Sequence, residues 1–381
     1  VFFPMLKDRK VIFLLPSLEI GGAERQGLRL ASYLVEQYGA KVEIWAISGR
    51  GRVVDECERL GFPWRVLDIR WPGSGIERLR VLYLLAKMLR AARPDILLPY
   101  TLFPSVAAAC IRRFTGARAS IWNQRDILGY RMGAFWEQRA VRNTSIFVVN
   151  GIHVGTYLQD MFAAPPEKIE LVPNAVALPP PQFDRANWRR ELGCGDNDLL
   201  AVMVANLHRN KGHAEVLSAW REFLNMADAS MAKPVLILAG LKGETFAGLD
   251  ALAARLEIRD YVRFPGQVED VSGLLASADI GLFCSRSEGS PNGVLETMAA
   301  GLPVVASDIA GVREVLGEEA GDFLSPFGDS TAMARNLLRV AGSASLRARI
   351  GEANRRRVLD HFSPEQMGRR MVEVLEDCCN L

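Results

Sequence analysis

The sequence predicts an α/β protein made of two doubly wound parallel-sheet domains. Three observations lead there. Short apolar runs alternate with longer segments of helical periodicity, the alternation occurs twice, and a proline-rich stretch separates the two rounds. A chain of 381 residues also suits two domains of about 150–200 residues better than one core.

Val11–Leu15 reads as a buried strand, followed by a loop, a helix over Ala23–Val35 and a strand over Val42–Ile47. Helix Ile76–Arg90, strand Ile96–Leu98, strand Ser145–Val149 and a helix around Gly155–Phe162 continue the alternation that a parallel sheet covered on both faces requires. Leu171–Pro181 then breaks the rhythm, because Pro179, Pro180 and Pro181 favour stiff extended chain. The expected organisation is a first domain over residues 1–172, a linker at 173–184 and a second domain over 185–362. In the second domain the strands are Leu199–Val204, Val235–Ala239, Val262–Phe264, Ile280–Cys284 and Pro303–Ala306. Helices Ala214–Leu224, Leu249–Leu256 and Val271–Ala276 lie between them, and Ser330–Val340 and Leu346–His361 follow.

Composition narrows the class. A chain 49% hydrophobic and 24% charged is globular and soluble in type. Its longest apolar stretch, Ile96–Ile111, carries Pro99 and Pro104 and falls short of the roughly 20 residues of a spanning helix. No leader is visible behind Val1, although sequence before it is not excluded, and the expected compartment is the cytoplasm. The six cysteines are scattered without a C-x-x-C pair, which suits small core residues in a reducing setting and offers no metal site.

The net charge of +2 conceals an asymmetry. Residues 1–170 hold 24 Lys/Arg against 16 Asp/Glu, whereas residues 171–381 hold 22 against 28. A basic first half points to an anionic partner, a membrane surface or a phosphorylated acceptor before a nucleic acid. Its cations cluster in Arg78–Arg90, where Leu82, Leu85 and Leu89 share one face of an expected amphipathic helix. An ordinary surface helix with solvated charges fits the same pattern.

Three loops carry the chemistry. The first, Pro16–Arg25, contains Gly21 and Gly22 between a strand and a helix, where a ligand can approach the backbone and helix-start amides favour an anion. A tight turn alone also needs glycine. The second, Ala205–His213, places Arg209 and Lys211 two apart, so in an extended loop both point the same way and can grip a diphosphate. The third holds Glu288 and Glu296 eight residues apart, with Asn292, Gly293, Val294 and Leu295 as a first helical turn that offers amides to phosphate oxygens. Glu296 suits a vicinal diol such as a ribose, or else serves the helix dipole; Glu288 reaches a sugar hydroxyl or developing positive charge.

The run from Glu288 to Glu296, continued by Thr297-Met298-Ala299-Ala300-Gly301-Leu302-Pro303, resembles the E-x7-E motif of the family 4 retaining glycosyltransferases. Arg209-Asn210-Lys211-Gly212 and Gly21-Gly22-Ala23-Glu24-Arg25 match the same family in the same order. The resemblance implies a GT-B fold, two Rossmann-like domains facing a cleft, with helix 363–381 crossing back to the first. It also implies a nucleoside diphosphate sugar as co-substrate, UDP-sugar favoured over GDP-sugar, and no cofactor or metal, Arg209 and Lys211 neutralising the leaving diphosphate. Ser290, Asn292, Gly293, Val294, Leu295 and Glu296 would line the donor with Gly21 and Gly22, and Gln267 and Val268 would meet the base. Many members carry a first-domain histidine where this chain reads Asn123-Gln124-Arg125-Asp126. Thr101, Asn123, Arg125 and Asp126 are therefore the candidates for holding the acceptor, a glycan or polyprenyl-linked glycan at the inner face of a membrane. Rival readings are a GT-B sugar-nucleotide epimerase, a glycoside hydrolase using the glutamate pair, and a non-enzymatic sugar-binding protein.

Overall fold

The computed structural model describes residues 6–19, 21–127, 130–228 and 231–379, and the chain divides into two units, residues 1–175 with 364–381 and residues 176–363. The first unit holds a seven-stranded sheet: β1 (Lys10–Leu18), β2 (Lys41–Arg50), β3 (Trp64–Val66), β4 (Ile96–Pro99), β5 (Ala119–Gln124), β6 (Ile146–Val149) and β7 (Ile169–Leu171). Their order is β3-β2-β1-β4-β5-β6-β7. Every pairing is parallel, with Val11 opposite Val42 on one side and Ile96 on the other.

Along β1 successive side chains enter opposite layers. Val11, Phe13 and Leu15 pack in one core with residues of α1 (Gly22–Tyr38), α2 (Arg52–Leu60) and the late helix Pro364–Cys379. Ile12 and Leu14 pack in the other with α3 (Gly75–Ala92), α4 (Leu102–Thr115), α5 (Ala134–Asn143) and α6 (Ile152–Phe162). A strand buried on both faces is apolar at every position, which is why β1 was readable as an unbroken run.

The second unit repeats the plan with six parallel strands, β8 (Leu199–Val204), β9 (Pro234–Ala239), β10 (Val262–Gly266), β11 (Ile280–Phe283), β12 (Val304–Ser307) and β13 (Leu324–Ser325). They are ordered β10-β9-β8-β11-β12-β13. Leu199, Ala201 and Met203 face one core, Leu200 and Val202 the other. Its helices are α7 (Arg185–Glu191), α8 (His213–Met226), α9 (Phe246–Arg255), α10 (Val271–Ser277), α11 (Asn292–Ala299), α12 (Ala310–Leu316), α13 (Ser330–Ala341) and α14 (Ala344–His361). The last helix, α15 (Pro364–Cys379), lays Met367, Met371 and Leu375 into the first unit's core.

In each sheet the strand order reverses once, between β1 and β4 and between β8 and β11. Open parallel sheets bind ligands at the carboxyl end of such a reversal. The loops after β1 and β4, and after β8 and β11, are therefore the positions to inspect.

The structure corrects three expectations. Asn123 and Gln124, in the segment where many members of the resembled family carry a histidine, lie in strand β5 (Ala119–Gln124), where no strand was expected. The apolar face of α3 that suggested a docking helix, Leu82, Leu85 and Leu89, is buried in the unit's own core. Leu171, taken as the start of irregular chain, is the last residue of β7, and Val176 is already buried in the second unit, where its N–H donates to the Phe362 carbonyl at 2.9 Å.

Candidate functional site

In the second unit the loops after β8 and β11 are laced together. The Asn210 amide donates to the Ser287 carbonyl at 3.0 Å, and the Arg286 N–H donates to the Asn210 carbonyl at 3.0 Å. Lys211 Nζ donates to Glu288 Oε1 in an ion pair, with 29% and 16% of the two side chains exposed. Gly212 makes this approach possible. It sits at φ +64°, and a Cβ there would collide with the Cys284 carbonyl oxygen.

The local chain is not extended as expected. Residues Arg209–Lys211 form a 3₁₀ turn, opened by His208, whose Nδ1 accepts from the Asn210 N–H at 3.3 Å. With three residues per turn, positions two apart diverge. Lys211 consequently turns inward to Glu288, while Arg209 stands outward, its side chain 85% exposed and 4.0 Å from Glu244. His213, at the start of α8, is buried, and burial together with the nearby Lys211 ammonium pulls its imidazole down to about 4. It is neutral at physiological pH and acts as packing.

α11 begins at Asn292, so Asn292–Leu295 is its first turn and Glu296 opens the second. Glu296 is thus a buried carboxylate inside the helix rather than a first-turn one. Val294 and Leu295 point into the core and have only backbone to offer a ligand. Ser290 is buried beside this start, and a Cβ on Gly293 would lie 2.6 Å from the Val204 carbonyl, which fits the helix end closely onto β8. At the end of β10, Gly266 takes φ +85° and its carbonyl accepts from the Gly240 N–H at 2.9 Å, leaving Gln267 exposed and Val268 half-buried.

Three supports carried little sequence signal of their own. A Cβ on Gly240 would strike the Ala205 carbonyl, and one on Gly311, in α12, would strike the Gly289 carbonyl. Thr245 adds a hydrogen bond to the Leu207 carbonyl at 2.6 Å. Each is a contact between segments distant in the chain; a glycine after an apolar strand is the single local hint.

In the first unit Gly21 precedes α1 with extended backbone, and its Cα hydrogen faces the Glu24 carboxylate, which a Cβ would contact. Glu24 is buried, and burial, with the Asp126 and Glu19 carboxylates adding to it, pushes its carboxyl up to about 7. Thr101, after β4, holds φ +66° and ψ −178°, a region that excludes β-branched residues unless the surroundings impose it. Its N–H donates to the Asn123 carbonyl at 2.8 Å, which ties the turn to β5.

Arg125 is turned inward. Its Nε donates to Asn123 Oδ1 at 2.5 Å, and its Nη1 donates to the Val172 carbonyl at 2.9 Å and to Asn174 Oδ1 at 3.1 Å. Asn150 closes the ring by donating to the Arg125 carbonyl at 3.1 Å. Asn123 and Arg125 are thereby committed to holding the chain's exit from the first unit, next to Ala175, whose N–H and carbonyl bind Gln26 of α1. Asp126, half-buried, accepts from the Gln124 amide at 2.7 Å and is the acceptor candidate that faces Glu24.

Residues 184–357 match the family model described as glycosyl transferases group 1, and residues 20–178 match that of glycosyltransferase family 4. N-acetyl-alpha-D-glucosaminyl L-malate synthase of Bacillus anthracis is 27% identical over 184 residues, 48% of this chain and 47% of that protein. D-inositol 3-phosphate glycosyltransferase of Salinispora arenicola is 27% identical over 253 residues, 62% of this chain and 56% of that protein. The chain spans about half the length of the curated relatives it matches. Among solved structures, a glycosyltransferase from Rickettsia africae superposes with a TM-score of 0.83 at 18% identity, over 97% of this chain and 98% of that one. Anabaena HepE in complex with UDP-glucose gives 0.80 at 20% identity, over 97% and 99%. At these identities the likeness speaks for the fold, two Rossmann-like domains of the GT-B type.

Proposed function

This chain belongs to the family 4 glycosyltransferases, and we propose that it transfers a sugar from a nucleoside diphosphate sugar to a hydroxyl of a glycan or lipid-linked glycan, with retention at the anomeric carbon. The observation that carries the reading is the Lys211–Glu288 pair at the strand-order reversal, beside the amino end of α11. A cation and the amino end of a helix at the carboxyl end of a parallel sheet suit a diphosphate.

In this reading the diphosphate lies at the start of α11 and draws Lys211 away from Glu288, with Arg209 closing from outside. Bond cleavage separates a cationic sugar from an anionic diphosphate, so the ammonium stabilises the transition state more than the ground state. These cations take the part of a metal, and no cofactor is needed. Glu288, released from Lys211, faces the positive charge growing on the sugar. Glu296 holds the ribose, and Gln267 and Val268 meet the base through their backbone. UDP is the favoured base carrier, as in the similar Anabaena HepE, whose structure holds UDP-glucose. Asp126 and the strained turn at Thr101 serve the acceptor, and the working compartment is the cytoplasm.

A donor screen tests this. A UDP-sugar should raise Tm by mass action, and acceptor-dependent release of UDP should follow. Isomerised donor without transfer would instead make the protein an epimerase, and release of sugar from a glycan without any nucleotide would make it a hydrolase.

A further inference from the structure

We propose that the outward face of α3 docks the first unit on an anionic lipid surface. The helix has apolar side chains on both sides. Leu82, Leu85 and Leu89 fill the core, yet Ile76 is 83% exposed, Leu79 59%, Tyr83 68% and Leu84 51%. At 3.6 residues per turn these four fall on one side of the helix, and exposed Arg80, Lys87 and Arg90 fall there too. An ordinary surface helix keeps its outer side polar; this one presents two kinds of group that a membrane interface accepts, large apolar or aromatic side chains and cations.

The surroundings extend the face. Arg78 stacks over Trp71 at 5.4 Å, Trp71 meets Trp136 at 5.8 Å, and Trp136 meets Phe135, the second residue of α5, at 5.1 Å. Phe135 is 67% exposed. Helices α3, α4 and α5 together carry eight Lys and Arg against two acids, Glu77 and Glu137. Glu137 is buried and bound to Arg131 at 2.5 Å, and Glu77 sits in the first turn, capped by Ser74 at 3.3 Å.

Charge selects the occupant. A second copy docked through the same face would set Arg80, Lys87 and Arg90 against their own equivalents, since a two-fold contact pairs a patch with itself. Anionic headgroups neutralise these cations while the apolar side chains enter the boundary with the acyl region. Because Leu82, Leu85 and Leu89 hold α3 in the unit's own core, attachment through its outer face is interfacial. The proposal does not rest on the transferase reading, because an inactive chain would bind equally well.

Co-sedimentation of the whole chain with vesicles tests it. Vesicles of equal parts phosphatidylcholine and phosphatidylglycerol should pellet the protein at low salt, and phosphatidylcholine alone should not. Arg80→Gln and Lys87→Gln should each weaken binding about fivefold. The pair Leu79→Ser/Tyr83→Ser should remove the binding that survives added salt, with an unchanged Tm showing that the fold is intact. Absence of binding to the anionic vesicles overturns the proposal, as does binding that neither set of substitutions changes. A wild-type dimer in sedimentation equilibrium that Leu79→Ser/Tyr83→Ser converts to monomer would assign the face to a second copy instead.

Discussion

Lys211 and Glu288, 77 positions apart, close an ion pair between the loops that follow β8 and β11. The pair holds the ammonium in place until a more highly charged oxyanion competes for it. Lys211→Ala is expected to lower kcat by about 10²–10³, and Arg209→Ala, removing an exposed and loosely held group, should cost less. Glu288→Gln releases the ammonium, so UDP should bind up to about fivefold tighter, the scale of a partly exposed pair, while turnover falls. Calorimetric titration with UDP and steady-state kinetics read both effects; normal turnover in Lys211→Ala would remove its role.

Glu24 predicts a dependence of stability on pH. The unfolded carboxyl ionises near 4.5 and the folded one near 7. Its contribution is thus fully present below 4.5 and is lost as pH rises through 7, an effect on the order of 3 kcal/mol. Glu24→Gln should raise Tm at about pH 8 and leave it nearly unchanged at about pH 4. Parallel melting curves for the two proteins across that range would refute the burial argument.

Thr101 stores strain in its backbone, with φ +66° on a β-branched residue. Such conformations cost about 1–3 kcal/mol, and glycine relieves the cost while adding about 1 kcal/mol of chain entropy. Thr101→Gly should therefore stabilise the protein by about 1 kcal/mol in urea titration. The acceptor KM should rise as the turn loses its fixed direction. A destabilised variant would show that the Thr101 side chain matters more than the strain.

Gly212 should tolerate no side chain, because positive φ and the Cys284 carbonyl both oppose one. Gly212→Ala is expected to cost at least about 2 kcal/mol and to separate the two loops. Loss of UDP binding beyond what the fall in Tm explains is the diagnostic result. An unchanged Tm would mean that the loops are less tightly joined than described.

Particular residues show what could be read in advance. β1, β8 and β11 stood out because strands buried on both faces are apolar throughout. α4 hid for the same reason: Val106, Ala107, Ala108, Ala109 and Ile111 are all buried, so no 3.6-residue period remained to mark a helix. Pro104, its third residue, is tolerated because first-turn N–H groups have no intrahelical partner. The glutamate loop was visible from its position between strand and helix. The divergence of Arg209 from Lys211 was not, since it depends on a single turn being 3₁₀ rather than extended. The inward commitment of Arg125 was equally hidden, because its partners Val172 and Asn174 lie 47 and 49 positions away.

α15 places Met367, Met371 and Leu375 in a core otherwise built from residues 6–175. A ribosome delivers that helix only after the whole second unit has emerged. During translation the first unit therefore waits, its α1 surface uncovered around Tyr33, where α15 later fits closely through Gly368. The later-made unit has all its own parts while the earlier one still lacks a helix, which reverses the usual amino-to-carboxyl sequence of domain completion.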